Sequence, residues 1–493
     1  MANTVAEIKN FKGQYPKQLW YLFFSEMWER FCFYGMRGML TVFMVDKTLG
    51  LGMAEDTANL QYGATQAFVY AFTFIGGLFA DKILGFRRSL FWGGLLMIAG
   101  SCILAFNPQH LFFLGIAFTV VGTGFFKPNI STMVGALYHD GDTRRDAGFS
   151  LFYAGINVGA LLGGYACIAI AKSHSWNLAF GLAAIVMTIS LLTFVFTQRS
   201  LGPIGLPPVD DKGPQPKWYA IATYIGSLAA IPLIMVMVEK TEYTDWFMYI
   251  IGPCTLLYLI VEGLRYSREE QRKLLAAMIF ILFSILFWAF FEQSGGSLNL
   301  FASNNLNGDF MGIQLDPNGV NNSANSLFVI IFAPLLGLLW VWMSKRRSEP
   351  NTVVKFGLGF LFLALAFYTF YATRFFADAN GMTSLEMFTL AYFIITFGEL
   401  CLSPIGLSIM TKLSPKSLQG VMMGMWFLAS AYGQYVAGIL GAGMALPDPN
   451  ASPADKLISY TEGYYQLALY ALIAGAVLIV IAPQVRKLMG EVK

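Results

Sequence analysis

Long apolar stretches recur along this sequence and constrain its fold more than any other feature. A helix needs roughly 20 apolar residues to cross a hydrocarbon core of about 30 Å, and fourteen stretches of suitable length are separated by loops with Pro, Gly and charged residues. These stretches are too continuous for the alternating ten-residue strands of a membrane β-barrel. The sequence therefore predicts an all-α polytopic membrane protein. The predicted spans lie near 19–44, 57–80, 89–106, 111–136, 149–171, 176–197, 217–238, 244–264, 274–301, 323–343, 354–374, 386–411, 419–443 and 462–485.

Composition agrees with a membrane protein and excludes several classes of function. Charged residues make up 12% of the chain, against about 25% in an ordinary soluble protein. The net charge of +3 gives no indication of a nucleic-acid partner. The five cysteines form no C-x-x-C pair and the three histidines share no ligand spacing, so we expect no metal and no cofactor. The sequence also has no phosphate-binding loop of the G-x-x-x-x-G-K-[ST] type, which argues against transport driven by ATP hydrolysis in this chain.

The distribution of Lys and Arg predicts the orientation in the membrane. If the N-terminus is cytoplasmic, the inner loops and termini carry 24 of these residues and the outer loops carry 5. This is the bias expected from the positive-inside rule, so we expect both termini in the cytoplasm. A Pro- and Gly-rich stretch at 202–216 follows the sixth span and reads as a cytoplasmic linker. Two spans follow the linker, and six more follow these, which suggests two six-helix bundles with an inserted helical pair.

Seven ionisable side chains fall inside predicted spans, where they are costly and indicate function by default. These are Glu26, Glu29, Arg30, Arg37, Lys127, Glu292 and Glu399. At 100° per residue, the four charges of the first span and Tyr34 share one helical face, which must point at a cavity rather than at lipid. The alternative is a buried salt-bridge cluster that only fixes packing. Because buried ion pairs stabilise poorly, a transport site is the preferred interpretation.

The charged residues suit a ligand that carries both signs of charge. Arg30 and Lys127 are positive and Glu399 is negative, so a cavity that all three line would suit a zwitterion, such as a peptide, whose carboxylate and ammonium need partners of opposite sign. Trp288 and Trp426 lie well inside their spans and are expected to line this cavity, although they could also be interface aromatics. Carboxylates beside Arg30 stay ionised until a proton or a competing carboxylate arrives, which would couple transport to protons.

Several motifs resemble the bacterial members of the proton-dependent oligopeptide transporter family (POT or PTR), within the major facilitator superfamily. GGLFADKILGFRR at 76–88 is similar to the superfamily's loop between its second and third helices. The narrower family motifs are E-x-x-E-R-F-x-x-Y-G (26–35), FKPNISTMVGALY (126–138), DTRRDAGFSLFYAGINVGALLGG (142–164), FFEQSGGSLNLFA (290–302) and GELCLSP (398–404). The resemblance covers essentially the whole chain. It implies the major facilitator fold, with a six-helix bundle at 1–200, a linker and inserted hairpin at 201–270, and a second six-helix bundle at 271–493.

The resemblance also implies roles for individual positions. The implied roles are proton coupling by Glu26, Glu29 and Arg30; peptide carboxylate binding by Arg30 and Lys127; amino-terminus binding by Asn157, Asn325 and Glu399; backbone contacts by Tyr34 and Tyr70; side-chain pockets at Trp288, Trp426 and Ser430; and an outer gating salt bridge between Arg37 and Glu292. Two positions depart from the family. Gly63 stands where animal relatives carry a proton-sensing histidine, and Phe33 stands where relatives often have Tyr.

These observations predict a proton-coupled symporter that imports di- and tripeptides by alternating access. We expect it to act as a monomer in the bacterial cytoplasmic membrane, with peptides, protons and the lipid bilayer as its partners and without nucleic acid. An alternative is a proton-coupled carrier of another small anion, such as nitrate, or of a drug-like compound. A membrane-embedded enzyme is not supported, because the sequence has neither H-E-x-x-H nor G-x-S-x-G.

Overall fold

The structure is a computed structural model, and it describes residues 4–139, 141–210, 213–214, 216–402, 409–410, 412–448 and 450–490. Within these ranges the strands are two hairpins of two-residue strands, and helices make up almost all the rest. Twelve described helices are long and apolar enough to cross a membrane. Lys17–Val45 and Gln419–Met444, with 29 and 26 residues, are long enough as well. Together they match the fourteen predicted spans, so the prediction of an all-α polytopic membrane protein is confirmed.

The helices of the first half, in chain order, are α1 (Val5–Lys9), α2 (Lys17–Val45), α3 (Glu55–Phe79), α4 (Phe86–Phe106), α5 (Pro108–Gly135), α6 (Arg144–Ser173), α7 (Trp176–Thr197) and α8 (Lys217–Glu239). Those of the second half are α9 (Thr241–Gly263), α10 (Arg268–Phe291), α11 (Ser297–Asn305), α12 (Pro317–Lys345), α13 (Thr352–Ala372), α14 (Leu385–Leu402), α15 (Gln419–Met444) and α16 (Pro453–Met489). The strands are β1 (Val209–Asp210), β2 (Gly213–Pro214), β3 (Asp309–Phe310) and β4 (Ile313–Gln314), paired antiparallel as β1–β2 and β3–β4. The end of the GELCLSP motif, residues 403–404, lies outside the described residues.

The chain divides into two compact units. The first comprises Met1–Gly52 and Phe68–Glu239, and the second comprises Met53–Ala67 and Lys240–Lys493. In the first unit α2 packs on α6 and α7, while α4 packs on α5 and α7. In the second unit α13 packs on α14 and α16, and α10 packs on α15 and α16. The division into three segments predicted from the sequence stays a prediction.

The inserted helical pair is shared between the two units. Helix α8 belongs to the first unit, where Trp92 Nε1 of α4 donates a hydrogen bond to Ser227 Oγ at 2.9 Å. Helix α9 belongs to the second unit, where the Tyr435 hydroxyl of α15 donates to Asp245 Oδ1 at 2.6 Å. Each inserted helix is therefore fixed by a polar contact to a helix of its own unit.

Two spans begin earlier than the sequence analysis placed them, at Pro317 and Pro453. In both cases the preceding residue, Asp316 or Ser452, caps the helix by accepting a hydrogen bond from a backbone N–H of the first turn. Proline is favoured at the first helical position because its missing N–H has no partner there in any case. Hydropathy missed these first turns because they are polar.

The predicted span at 274–301 falls within a candidate membrane span, Arg268–Asn305, but its helix is interrupted. Helix α10 ends at Phe291, a 3₁₀ turn follows at Glu292–Gly295, and α11 begins at Ser297. The junction residue Gly296 has φ −104° and ψ −108°, which is outside helical geometry. Two consecutive glycines at this point lower the cost of leaving the helix. Glu292 consequently lies in a buried turn rather than within a straight helix.

Glycines in α6 allow the charged helix α2 to pack against it closely. A Cβ atom placed on Gly159 would lie 2.1 Å from the Met27 carbonyl oxygen, and one on Gly163 would lie 2.1 Å from the carbonyl oxygen of Phe31. No side chain fits at such distances, so the two helix backbones touch directly. This crossing brings the middle of α2, which carries the charged residues, deep into the first unit.

A buried carboxylate fixes the start of α3 within the second unit. Glu55 Oε1 lies 2.6 Å from Lys456 Nζ of α16 and accepts a hydrogen bond from Asn304 Nδ2 of α11 at 2.8 Å. Its second oxygen accepts from the hydroxyl of Tyr460. All partners of this buried charge are therefore supplied by two other helices, as a stable buried ion pair requires. This cluster was not predicted from the sequence.

Candidate functional site

Three charged residues of α2 form one buried ion cluster. Arg30 Nε lies 3.1 Å from Glu26 Oε1 and also donates to Glu29 Oε2. The three side chains are almost completely buried, at 3% exposure for Glu26, 0% for Glu29 and 1% for Arg30. The spacing of four residues between Glu26 and Arg30 puts them on one helical face. The cluster holds two carboxylates and one guanidinium.

The cluster has buried polar atoms that the protein leaves unused. Glu26 Oε2, Glu29 Oε1 and Arg30 Nη2 make no hydrogen bond with any described residue. Buried polar groups are almost always paired, and each exception needs an explanation. A donor and two acceptors left over in one cluster can receive an additional anion and an additional proton.

Aromatic rings face the cations of the first unit. The Arg30 guanidinium lies over the Phe33 ring at 5.0 Å, and Lys127 Nζ lies over the Tyr70 ring at 4.5 Å. Aromatic faces attract cations and do so without neutralising them. The Phe33 ring thus covers one face of the Arg30 guanidinium and leaves the N–H groups at its edge for anions. Phe33, the departure from the family motif, gives Arg30 a ring without a hydroxyl.

Lys127 lies at an irregular part of α5, because Pro128 follows it inside the helix. A proline has no N–H to donate, so the carbonyl of Gly124 loses its helical partner. The neighbouring helix approaches closely here, since a Cβ on Gly76 of α3 would lie 2.1 Å from the Gly124 carbonyl oxygen. Lys127 itself is half-buried.

Asn157 is almost completely buried on α6, and its side-chain amide donates one hydrogen bond within the same helix. Its Nδ2 donates to the Tyr153 carbonyl at 3.0 Å.

Arg37 of α2 has its guanidinium over the Tyr34 ring at 5.7 Å. Arg37 belongs to the first unit and Glu292 to the second, and the salt bridge between them stays a prediction.

In the second unit, an amide and a carboxylate meet at the facing surfaces of α12 and α14. Asn325 Nδ2 donates to Glu399 Oε2 at 2.9 Å and to the hydroxyl of Thr396 at 3.1 Å. Thr396 is fully buried, while Asn325 and Glu399 are half-buried. Thr396 was not among the residues predicted for the site. Its spacing of three residues from Glu399 on a helix, which puts both on one face, could have identified it.

The remaining predicted residues of the second unit are aromatic or small. Trp288 is half-buried on α10 and packs edge-on against Phe291, with ring centroids 5.4 Å apart. On α15, Ser430 donates to the Trp426 carbonyl at 3.2 Å, so its hydroxyl is used within its own helix. Their predicted contacts with a ligand stay predictions. No group of His, Cys, Asp and Glu within the described residues could hold a metal ion.

Comparison with known proteins places these residues in a family context. Residues 87–452 match the sequence profile of the POT family. The peptide transporter YePEPT of Yersinia enterocolitica subsp. palearctica is 33% identical, over 97% of this chain and 96% of its own. The dipeptide and tripeptide permease B of Aliivibrio fischeri is 30% identical, over 96% of this chain and 95% of its own.

A solved structure matches the fold as well. The crystal structure of a peptide transporter POT in complex with sulfate superposes with a TM-score of 0.83 and 34% sequence identity, covering 98% of this chain and 97% of its own. The family profile begins after α2, whereas the relatives and this structure also extend over the helix that carries Arg30. Both site clusters therefore lie within the region of similarity.

Proposed function

The chain belongs to the POT family of transporters, and from this we propose that it imports di- and tripeptides together with protons across the bacterial cytoplasmic membrane by alternating access. It is a multi-pass membrane protein and not an enzyme. Two relatives named as a peptide transporter and as a dipeptide and tripeptide permease support peptides as the substrate class. The positive-inside bias supports a cytoplasmic location for both termini.

The observation that carries this proposal is the ion cluster of α2, in which three buried polar atoms have no hydrogen-bond partner among the described residues. Arg30 Nη2 is buried without a partner among the described residues, although a guanidinium has five donors and no acceptor. A peptide carboxylate is an anion that a guanidinium can hold with two hydrogen bonds. Lys127 supplies a second, more mobile positive charge for the same carboxylate.

We assign the peptide's amino terminus to the other cluster. Glu399 provides a negative charge, and Asn325, which is hydrogen-bonded to it, provides an amide. A zwitterionic peptide presents an ammonium as well as a carboxylate, and the Asn325–Glu399 cluster offers the negative charge that an ammonium requires. The aromatic residues Trp288 and Trp426 suit apolar side chains, where one methylene changes affinity by only about 1–3 kcal/mol. Such a site accepts many peptide sequences.

Competition for Arg30 provides the link to protons. The guanidinium is bound by Glu26 and Glu29 in the present structure. A peptide carboxylate can take a full share of this guanidinium only if a carboxylate gives up its charge, and a proton on Glu29 would achieve this. Peptide binding and protonation therefore favour each other. In this scheme no cofactor takes part, and a single copy of the chain is sufficient for transport.

Uptake of labelled dialanine into proteoliposomes tests the proposal. An imposed inward proton gradient should drive accumulation, and a protonophore should abolish it. Peptide counterflow in the same vesicles serves as the control that the protein is active. The peptide assignment is wrong if dialanine shows neither accumulation nor counterflow while the same vesicles transport another anion, such as nitrate.

The role of Lys127 can be tested by changing the ligand instead of the gradient. Lys127→Ala should weaken binding of a free dipeptide about tenfold and leave that of the C-terminally amidated dipeptide almost unchanged, because the amide has no charge for Lys127 to attract. Lys345→Ala, at an exposed position at the end of α12, is the matched control. Equal losses for both ligands would remove Lys127 from carboxylate recognition.

A further inference from the structure

We propose that Thr396 is a positioning residue that orients the Asn325 amide toward the substrate's ammonium group and thereby sets selectivity for a free amino terminus. This inference rests on the proposed function, in which Asn325 and Glu399 receive the amino terminus. It concerns a buried residue that does not itself touch the peptide.

The Thr396 hydroxyl can only accept a hydrogen bond from Asn325. Thr396 Oγ1 donates its single hydrogen to the Tyr392 carbonyl of the same helix, at 2.8 Å. A hydroxyl has one hydrogen and two lone pairs, so the lone pairs remain for Asn325 Nδ2 at 3.1 Å. Thr396 is fully buried.

This arrangement determines which end of the Asn325 amide is free. The amide nitrogen carries two hydrogens, and they are directed to Thr396 and to Glu399 Oε2 at 2.9 Å. The carbonyl oxygen is the part of the amide that remains for a ligand. An ammonium group only donates hydrogen bonds, so it matches this oxygen together with the Glu399 carboxylate.

A rotated amide would be rejected. Turning Asn325 by 180° would place its oxygen against Thr396 Oγ1 and Glu399 Oε2, both of which are acceptors. Glu399 excludes this orientation only while it is ionised, because a protonated carboxyl group can donate. Thr396 disfavours it in either state of Glu399, because the hydroxyl would have to give up its hydrogen bond to the Tyr392 carbonyl in order to donate to the amide oxygen. The hydroxyl therefore keeps the site selective while protonation states change during transport.

A buried amide network holds α12 and α14 in the register that this contact needs. Asn318, Asn321 and Asn322 share a face of α12 with Asn325, and each donates from Nδ2 to Asn299 Oδ1 of α11, at 2.9, 3.2 and 3.3 Å. The Tyr392 hydroxyl of α14 donates to Asn321 Oδ1 at 2.6 Å. Buried hydrogen-bond networks of this kind connect the elements that contribute to them, here α11, α12 and α14.

Three variants test the inference. Thr396→Val removes the hydroxyl and keeps the shape, Thr396→Ser restores the hydroxyl, and Thr389→Val is the matched control. Thr389 lies on the same helix and also donates to the carbonyl four residues earlier, at 2.8 Å from Leu385. The measurement is the affinity for dialanine, from competition with labelled dialanine uptake, relative to the affinity for N-acetyl-dialanine.

Thr396→Val should lower the affinity for dialanine about tenfold, as expected for the loss of one oriented hydrogen bond in a buried site. The affinity for N-acetyl-dialanine should hardly change, and Thr396→Ser should restore the wild-type ratio. An equal loss for both ligands, or the same effect in Thr389→Val, would show that Thr396 serves packing alone and would overturn the inference. If the wild type does not take up dialanine at all, the proposed function fails first and this inference fails with it.

Discussion

A guanidinium surrounded by two carboxylates in an apolar helix face is a poor device for stability. The cost of removing three charges from water exceeds what their attraction returns unless every donor and acceptor is used. Arg30, Glu26 and Glu29 leave three such atoms unused within the described part of the chain. A cluster that is expensive and incomplete is best explained by a ligand that completes it during part of the cycle.

Glu29→Gln should separate the two activities of this cluster. The amide keeps the size of the side chain but can neither be ionised nor take up a proton. We therefore expect gradient-driven accumulation of dialanine to be lost, while exchange of internal for external peptide, which needs no net proton movement, persists in part. Proteoliposomes assayed in both modes provide the measurement.

Glu269→Gln is the matched control for this experiment, because Glu269 is an exposed carboxylate paired with Lys273 at 2.8 Å. It should behave as the wild type in both modes. Unchanged driven uptake in Glu29→Gln would transfer the coupling role to another carboxylate, of which Glu26 is the nearest.

The pairing of individual residues could be predicted from the sequence where both partners lie on the same helix, because helical periodicity then determines which side chains are neighbours. Glu26 and Arg30 are four residues apart, and the structure pairs them. Asn325 and Glu399 are 74 residues apart, so only the resemblance to a family predicted their association. Thr396 was not predicted because a threonine in an apolar helix carries no charge, and because its partner, Asn325, lies on another helix.

At the scale of helices, the crossing of α3 and α15 depends on having no side chain at Gly63. A Cβ on Gly63 would lie 2.7 Å from the Gly438 Cα, and one on Gly438 would lie 2.8 Å from the Asn59 carbonyl oxygen. Both obstacles are backbone atoms, which cannot rotate away. The histidine of animal relatives at this position would require the two helices to separate.

Gly63→Ala should therefore destabilise the protein by about 1–3 kcal/mol, the usual cost of overpacking, and Gly63→His should do so more strongly. Thermal unfolding in detergent is the measurement. Gly226→Ala in α8 is the matched control, because nothing lies within 4 Å of a Cβ there. It should leave the protein as stable or slightly more stable, since alanine favours a helix. Equal midpoints for Gly63→Ala and the wild type would show that the helices separate at little cost.

The connection between the N-terminal segment and α6 is a second contact between elements. Arg144 Nη2 lies 2.8 Å from Asp142 Oδ2, and Arg144 Nη1 donates to the carbonyls of Phe11 and Gly13 at 3.2 and 3.0 Å. The hydrogen bonds from Arg144 lower the pKa of Asp142 to about 2. A lowered carboxyl pKa means that the pair is complete above the ordinary value of about 3.9 and is lost only as the pH falls through about 2.

Asp142→Asn should consequently leave the pH dependence of peptide uptake unchanged between pH 5 and 8, a range in which Asp142 stays ionised. The variant should unfold at a lower temperature, because Arg144 loses its charged partner. Initial uptake rates across this pH range and a thermal melt provide the two readouts. A displaced midpoint of the pH profile would mean that this pair takes part in proton coupling.

Hydropathy predicted where the helices are, since burial in lipid demands long apolar runs. It did not predict where one of them breaks. The turn at Glu292–Gly295 interrupts an apolar run because local backbone freedom, not polarity, decides the conformation of a glycine pair. Likewise, no periodicity in the sequence indicates that α8 belongs to one unit and α9 to the other, because this depends on packing and hydrogen bonds to helices that are distant in the sequence.

For the whole molecule, symport of a zwitterionic peptide with a proton must move net charge. The peptide carries no net charge at neutral pH, so each cycle with one proton transfers one positive charge inward. A potential of 100 mV, negative inside, then contributes about 2.3 kcal/mol, and one pH unit contributes about 1.4 kcal/mol. Together these suffice for roughly 500-fold accumulation of the peptide.

A potassium diffusion potential set by valinomycin, at equal pH on both sides, isolates the electrical part. An inside-negative potential should drive dialanine into the vesicles by itself, and reversing the potential should suppress uptake below the level without valinomycin. A peptide with an additional lysine side chain should respond more steeply, because it adds its own positive charge to each cycle. Uptake of dialanine that is indifferent to the potential would exclude a proton as the sole coupled charge, since no electroneutral cycle can be built from a neutral peptide and one proton.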